Sequence, residues 1–322
     1  MVKLANVRLS NAAFKACSDG FVAIFIGGTS GIGEATVKAL AANGEKCTVY
    51  IFGRNKTAAG AIISLCQDLS PESVFIFIQK DVSLLKNVDS VCEEIQNQEQ
   101  KVDLLFMSQG YLTFAGRNET VEGVDTILSL RYYSRMRFAT NLLLLLSASP
   151  CARVVSVFAP GRGEVGLNLN DLGLKENYSI VKSISHPAFE NTFFMESLAA
   201  TNPGVSFLHV WPGLVQTQEM EKSEFPGLLK WLIKWVLFPL IKLFCVPVDE
   251  TGERMLFYAT SGMYPALVPA ISLEDLEVAS GSNGEEGSGC YCINWNGETI
   301  RNQTRLERYR KKHAIEKLSV VV

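Results

Sequence analysis

A doubly wound α/β fold, a parallel sheet covered by helices on both faces, is what this 322-residue sequence predicts. Three observations carry that prediction. Short apolar runs rich in β-branched and aromatic residues alternate with segments of helical spacing. The runs are apolar throughout, as strands buried on both faces are. The first of them ends in a glycine-rich turn that opens a helix, and repeated alternation of this kind builds right-handed strand–helix–strand crossovers.

The elements follow in order. FVAIFIGG at 21–28 predicts a strand, and GEATVKALAANG after it predicts a helix stopped by Gly44. CTVYIFGR (47–54), SVFIFIQKD (73–81), VDLLFMSQG (102–110) and ARVVSVFA (152–159) predict the next four strands. Helices are expected between them over AAGAIISLCQDL, LKNVDSVCEEIQNQ and VDTILSLRYYSRMRFATNLLLLL. A helix near 184–200 then leads to a strand at VSFLHVWPG (205–213). DETGERMLFYATSG reads as a capped helix and GCYCINWNGET as a closing strand and turn, with a flexible loop expected over 279–289.

Composition bounds the rest. With 48% hydrophobic and 20% charged residues and no long polar run, the chain is expected to form one domain over residues 1–322. Thirty basic against 33 acidic residues give a net charge of −3, so a nucleic-acid partner is not expected and a small molecule is. The N-terminal segment MVKLANVRLSNAAFK lacks the unbroken apolar core of a secretory signal, which points to a cytoplasmic protein. Eight scattered cysteines read as reduced core thiols, with no metal site expected.

The chemistry-bearing residues lie at the strand ends. GGTSGIG places Gly27, Ser30, Gly31, Ile32 and Gly33 between the first strand and the first helix. Glycines there let the backbone approach a pyrophosphate, whose charge sits on free amides at the positive end of the helix. At the end of the second strand stand Arg54 and Asn55. An acidic residue at that point would bond the ribose hydroxyls of NAD, whereas the planar fork of Arg54 suits a 2′-phosphate, so NADP(H) is the expected cofactor. Asp81, at the end of the third strand, accepts a bond from the adenine amino group or caps the following helix.

The order of GGTSGIG, GRN, DVS, a strand ending in SQG at Gly110, and PGLVQT at 212–217 resembles the short-chain dehydrogenase/reductase superfamily, over roughly residues 20–217. The resemblance implies a Rossmann-type fold and bound NADP(H), with Pro212, Gly213 and Thr217 closing over the nicotinamide. It also implies an Asn-Ser-Tyr-Lys set in which tyrosine protonates the carbonyl oxygen as hydride arrives. The segment YSIVK offers Tyr178 and Lys182 at the right spacing. However, the retinol-dehydrogenase-like subgroup aligns without a gap when Asp171, Leu172, Asn191, Leu198 and Ala199 are matched. In that register the tyrosine falls on Ile184, the lysine on Ala188, the serine on Ala159 and the asparagine on Tyr132. All four positions are substituted.

Three readings stand. The protein is a reductase using another acid, with Tyr178, Tyr132, Tyr133 and His186 as candidates. Alternatively the fold serves a non-redox step such as cyclisation, dehydration or isomerisation, or it is a binding scaffold. His186 also has a plain reading, as the residue preceding a helix that starts at Pro187.

After PGLVQT, residues 218–247 read as an apolar helical lid, too short in its uncharged run to span a membrane. A greasy lid implies a hydrophobic substrate; a dimer contact and a peripheral membrane contact are the other uses of such a surface. The lid and tail resemble homologues in fungal secondary-metabolite pathways, which implies a bulky hydrophobic substrate.

Overall fold

The computed structural model describes residues 1–15, 18–111, 113, 115–161, 166–215, 245–270, 277–300 and 303–311. Its sheet has seven parallel strands: β1 Val22–Ile26, β2 Thr48–Gly53, β3 Val74–Gln79, β4 Leu104–Met107, β5 Arg153–Val157, β6 Ser206–Val210 and β7 Cys290–Ile293. They lie in the order β3-β2-β1-β4-β5-β6-β7. Every pair is parallel, with Ile26 opposite both Phe52 and Met107.

Strand β1 shows why the runs are apolar throughout. Ile24 and Ile26 enter one core with Val88 and Ile95 of α4 (Leu85–Gln98) and Phe189 and Phe193 of a later helix. Ala23 and Phe25 enter the other core with Val37 and Leu40 of α2 (Gly31–Asn43) and Ile62 of α3 (Lys56–Leu69). Both faces are covered, so neither alternate residue has a reason to be polar. Burying one such side chain contributes roughly 1.5–3 kcal/mol, which makes this two-sided burial the main force holding the strands.

An N-terminal helix that the sequence did not announce, α1 (Leu4–Phe14), completes the second layer. It buries only Val7, Asn11 and Phe14, a stripe too thin to read as periodicity. Its Asn11 donates to the carbonyl of Glu253 at 2.9 Å.

The expected helix after β4 is interrupted. It consists of α5 (Thr126–Leu128), a π-helical turn over Ser129–Tyr133, α6 (Ser134–Asn141) and α7 (Leu143–Ser147). The crossover after β5 is α8 (Lys182–Thr201), which starts before Pro187 and carries that proline inside it, so the expectation of a helix start at Pro187 is corrected. Helix α9 (Val248–Thr260) has Asp249 and Glu250 in its first turn, and α10 (Gln303–Arg310) follows β7. The 279–289 loop, expected to be flexible, is closed by its own main chain. Gly281 N donates to Glu285 O and Ser282 N to Cys290 O, both at 2.8 Å.

Thr217 and residues 218–244 of the expected lid lie outside the described residues. At the lid's far edge Val246 N donates to Leu214 O at 2.8 Å. No helix among the described residues is long and apolar enough to cross a membrane.

Candidate active site

The carboxyl ends of β1, β2, β4, β5 and β6 open onto one cleft of about 620 Å³. It lies where the crossovers diverge, from β1 toward β2 on one side and from β4 toward β5 on the other; open α/β sheets bind ligands at such a point. Gly27, Ser30, Gly31, Ile32, Arg54, Asn55, Asp81, Gly110, Pro212 and Gly213 all line it.

The first turn is built for an anion. Gly27 has φ +90°, and a Cβ there would lie 2.9 Å from the main-chain nitrogen of Gln109. A side chain at Gly33 would overlap the Gly27 carbonyl oxygen and the Ser108 hydroxyl, so Gly33 does not line the cleft but lets α2 pack against the loop. Ser30 is the N-cap of α2, and its side chain caps no amide. Among the described residues the amides of that first turn have no side-chain acceptor from their N-cap, at the positive end of a helix, which fits a pyrophosphate.

At the end of β2, Arg54 is exposed and among the described residues has no ion pair; its carbonyl accepts from Gln79 Nε2 at 3.0 Å. Asn55 caps α3, accepting from Ala58 N at 3.0 Å. Asp81 does not cap α4, as one of its two readings had it. Its Oδ1 accepts from Ser83 N at 3.0 Å and Ser83 Oγ at 2.7 Å. The first amides of α4 go instead to the carboxylate of Glu122, which accepts from Leu85 N at 2.6 Å and Lys86 N at 3.0 Å.

The opposite end of the cleft carries two arginines, Arg131 and Arg135, both buried. Two helix irregularities hold them. The π-helical turn widens the ring, with Ser134 N reaching back to Ser129 O, and leaves neighbouring carbonyls for side-chain donors. Leu130 O accepts from Arg135 Nε at 3.0 Å, and Arg131 O accepts from Asn191 Nδ2 at 2.8 Å. In α8, Pro187 has no N–H to offer the carbonyl four residues earlier, that of Ser183. Arg131 Nη1 donates to that carbonyl at 2.8 Å, and Arg131 Nη2 donates to Tyr111 O at 3.2 Å.

Arg135 ties β4 to β5. Its Nη1 donates to Ser156 Oγ and Val157 O, both at 2.8 Å, and its Nη2 to Gln109 O at 2.6 Å. Ser156 passes the bond on to Asn191 Oδ1 at 2.9 Å. Phe158 covers the arginines, with its ring centre 5.7 Å from Arg131 Cζ and 5.6 Å from Arg135 Cζ. Burial pulls Arg131 down to about 10 and Arg135 to about 9, with the charge of Arg131 adding to the second shift. Both remain cations at neutral pH, and no carboxylate among the described residues pairs with either.

With this geometry in view, the similarity to known proteins is decisive. The family model described as short chain dehydrogenase matches residues 21–165. Oxidoreductase AN1596 of Emericella nidulans is 44% identical over 316 residues, 97% of this chain and 94% of its own. Short-chain dehydrogenase/reductase SAT2 of Stachybotrys chartarum is 33% identical over 320 residues, covering 92% and 89%. This chain belongs to the short-chain dehydrogenase/reductase family. The L-sorbose reductase of Gluconobacter frateurii, solved with NADPH and L-sorbose, shares the fold with a TM-score of 0.58 at 15% identity, over 88% of this chain and 98% of that one.

Within this short-chain dehydrogenase/reductase, the residues expected to do the chemistry are not among those that line the cleft. Tyr178 is half-buried in the loop before α8 and Lys182 is the first residue of that helix, so the two do not share a helical face. Neither lines the cleft, and nor do Tyr132, Ala159, Ile184, His186 and Ala188. His186 is enclosed, accepts from Asn168 N at 3.2 Å through Nε2, and is pulled down to about 4 by burial. Tyr132 is fully buried with no partner for its hydroxyl among the described residues, and burial followed by the nearby Glu190 raises its pKa well above the usual value.

Sequence reasoning missed Arg131, Arg135, Gln109, Tyr111 and Phe158, all of which line the cleft. Arg131 and Arg135 did leave a signal: two arginines four apart in a segment that must pack on the sheet. Buried arginines are rare without a partner or a role.

Proposed function

We propose that this short-chain dehydrogenase/reductase is an NADP(H)-dependent enzyme acting on a bulky hydrophobic small molecule, in secondary metabolism, with non-standard catalytic residues. The carrying observation is the single cleft that runs from the uncapped α2 amides past Arg54 to the Arg131–Arg135 wall. In this reading the α2 amides and glycine turn hold the pyrophosphate, Arg54 holds the 2′-phosphate, and Gly110, Pro212 and Gly213 border the nicotinamide. The NADPH complex of the L-sorbose reductase supports the cofactor assignment by likeness of fold.

The bound dinucleotide supplies hydride. The chain's own part is electrostatic: guanidinium N–H groups of Arg131 and Arg135 face the substrate oxygen on which negative charge builds, in a site walled by Phe158. Tyr111, the tyrosine that lines the cleft, is the proton donor in this scheme. Six of the eight cysteines, Cys47, Cys66, Cys92, Cys151, Cys245 and Cys290, form no disulfide among the described residues, which suits a reducing cytoplasm.

Calorimetric titration with NADPH and NADH, repeated on Arg54→Ala, tests the proposal. NADPH is expected to bind at least tenfold more tightly than NADH, with the preference lost in the variant. Absence of binding to either nucleotide would remove the redox reading. A second reading, non-redox use of the same cleft for cyclisation, dehydration or isomerisation, is favoured by one observation: no tyrosine–lysine pair at helical spacing lines the cleft among the described residues. Under it the arginine wall stabilises an enolate and the nucleotide is structural.

A further inference from the structure

We infer that the substrate carries an ionised oxygen acid, a carboxylate or an enolised 1,3-dicarbonyl, which Arg131 and Arg135 bind together at the nicotinamide end of the cleft. The inference rests on the reading of the cleft as a nucleotide and substrate site. It begins with an imbalance of charge. Two guanidinium groups are 5% and 2% exposed, and every hydrogen-bond partner they have among the described residues is neutral: the carbonyls of Met107, Gln109, Tyr111, Leu130, Val157 and Ser183 and the hydroxyls of Ser156 and Ser183. The buried carboxylate of Asp125 acts on Arg131 from beyond hydrogen-bond range, and it is itself bonded to the amides of Asn118, Ile127 and Leu128. Withdrawing a cation from water is costly unless an opposite charge joins it, and neutral acceptors offset only part of that cost. Two such cations four residues apart also repel each other.

The donors are not exhausted. A guanidinium carries five N–H groups. Arg131 spends Nη1 on Ser183 and one Nη2 hydrogen on Tyr111, leaving its Nε and a second Nη2 hydrogen. Arg135 has one Nη2 hydrogen beyond the bond to Gln109 O. A Cβ placed on Gly110 would meet Arg135 Nη2 at 4.0 Å and nothing nearer, so the space between Gly110 and this nitrogen is open, and both residues line the cleft. Spare donors on two planar groups match an anion whose charge is shared between two oxygens.

The cofactor does not supply that anion. Its pyrophosphate belongs at the α2 amides and its 2′-phosphate at Arg54, on the β1–β2 side, whereas Arg135 is anchored to the ends of β4 and β5 through Met107, Gln109, Ser156 and Val157, and Arg131 to Tyr111 beyond β4 and to Ser183 of α8. Phe158 lies against both arginines, and Leu130, Val157, Leu214 and Val215 add apolar surface to the same cleft. The geometry therefore selects an apolar body with one acidic head, and rejects a neutral isostere because the buried cations would stay unpaired.

The experiment compares 2-naphthoate with 2-naphthamide as probes on the full chain at pH 7.5 by calorimetry, with and without saturating NADPH. Naphthoate is expected to bind the NADPH-saturated protein at least tenfold more tightly than the amide. Arg131→Gln is expected to lower naphthoate affinity about tenfold while NADPH affinity holds, and Arg131→Lys is expected to retain part of it. Arg135 is left intact because its bonds join two strands. Equal binding of acid and amide, no naphthoate binding at millimolar concentration, or indifference to both substitutions would overturn the inference. So would displacement of naphthoate by NADPH, which would return the arginines to the cofactor. Failure of the protein to bind NADPH sinks the proposed function instead, and the naphthoate comparison without nucleotide then still decides this one.

Discussion

Arg131 donates at 2.8 Å to the carbonyl oxygen of Ser183, the acceptor that Pro187 leaves free inside α8. A proline in a helix interior ordinarily costs about 3 kcal/mol, because one bond is lost and the ring crowds the preceding turn. Here the lost bond is replaced by one from a side chain that the cleft needs in a fixed place. Pro187→Ala restores an N–H that competes for the same carbonyl. A rise of a few degrees in melting temperature is expected, smaller than the full cost of a proline because the carbonyl is already satisfied. A fall would show that the arginine's bond contributes more than the helix's own.

Ser156 links the same site through the sheet, accepting from Arg135 and donating to Asn191. Ser156→Ala leaves the Asn191 carbonyl oxygen buried without a donor. A buried unsatisfied group costs roughly 1–3 kcal/mol, so chemical denaturation is expected to show destabilisation of that order. Ser156→Thr, which keeps the hydroxyl, is expected to recover most of the loss. Equal stability of Ser156→Ala and the natural chain would show that the network is not coupled.

Tyr178 and Lys182 keep a family-like spacing, but neither lines the cleft. Tyr178→Phe and Lys182→Met are therefore expected to leave NADPH affinity and turnover within about twofold, once a substrate is in hand. A loss of a hundredfold or more in either would place YSIVK at the chemistry and refute the geometry argued above.

Two histidines make stability depend on acidity. Burial pulls His186 down to about 4 and His209 to about 3, the second helped by the charge of Arg135. The unfolded chain binds these protons near 6.5, so between that value and the folded one it holds more protons than the native state. Stability contributed by the neutral rings is present above pH 6.5 and is lost as pH falls toward 4, by an amount on the order of 2 kcal/mol for His186. Urea midpoints at pH 7.5, 6 and 5 measure the slope, and His186→Asn should flatten it.

Glu190 works in the opposite sense. Fully buried with Oε1 unpartnered, its carboxyl is held well above the usual range by burial. Its contribution is present below the unfolded value near 4.5 and is lost as pH rises through the raised folded value. Glu190→Gln is expected to raise the urea midpoint at pH 8 and to change it little at pH 4.5. An equal shift at both would mean that titration of this carboxyl is not involved.

The local chemistry of the sequence determined the strands, most helices and the β1–β2 half of the cleft. An apolar run such as that of β1 has one stable environment, between two layers, and the glycine turn after it is constrained within seven residues. Arg54 and Asp81 could be placed because a strand end is defined by the strand itself. The tertiary structure alone decided the arginine end of the cleft. Arg131 is held by a carbonyl 52 positions away and Arg135 by carbonyls 22 to 28 positions away, distances at which sequence spacing carries no information. The π-helical turn and the proline inside α8 are each unfavourable in isolation. They persist because the carbonyls they release are taken up by side chains from another element, and that exchange exists only once α6 and α8 are packed on the sheet. YSIVK shows the same limit: four residues of spacing bring a tyrosine and a lysine onto one face only within a helix, and α8 begins at Lys182.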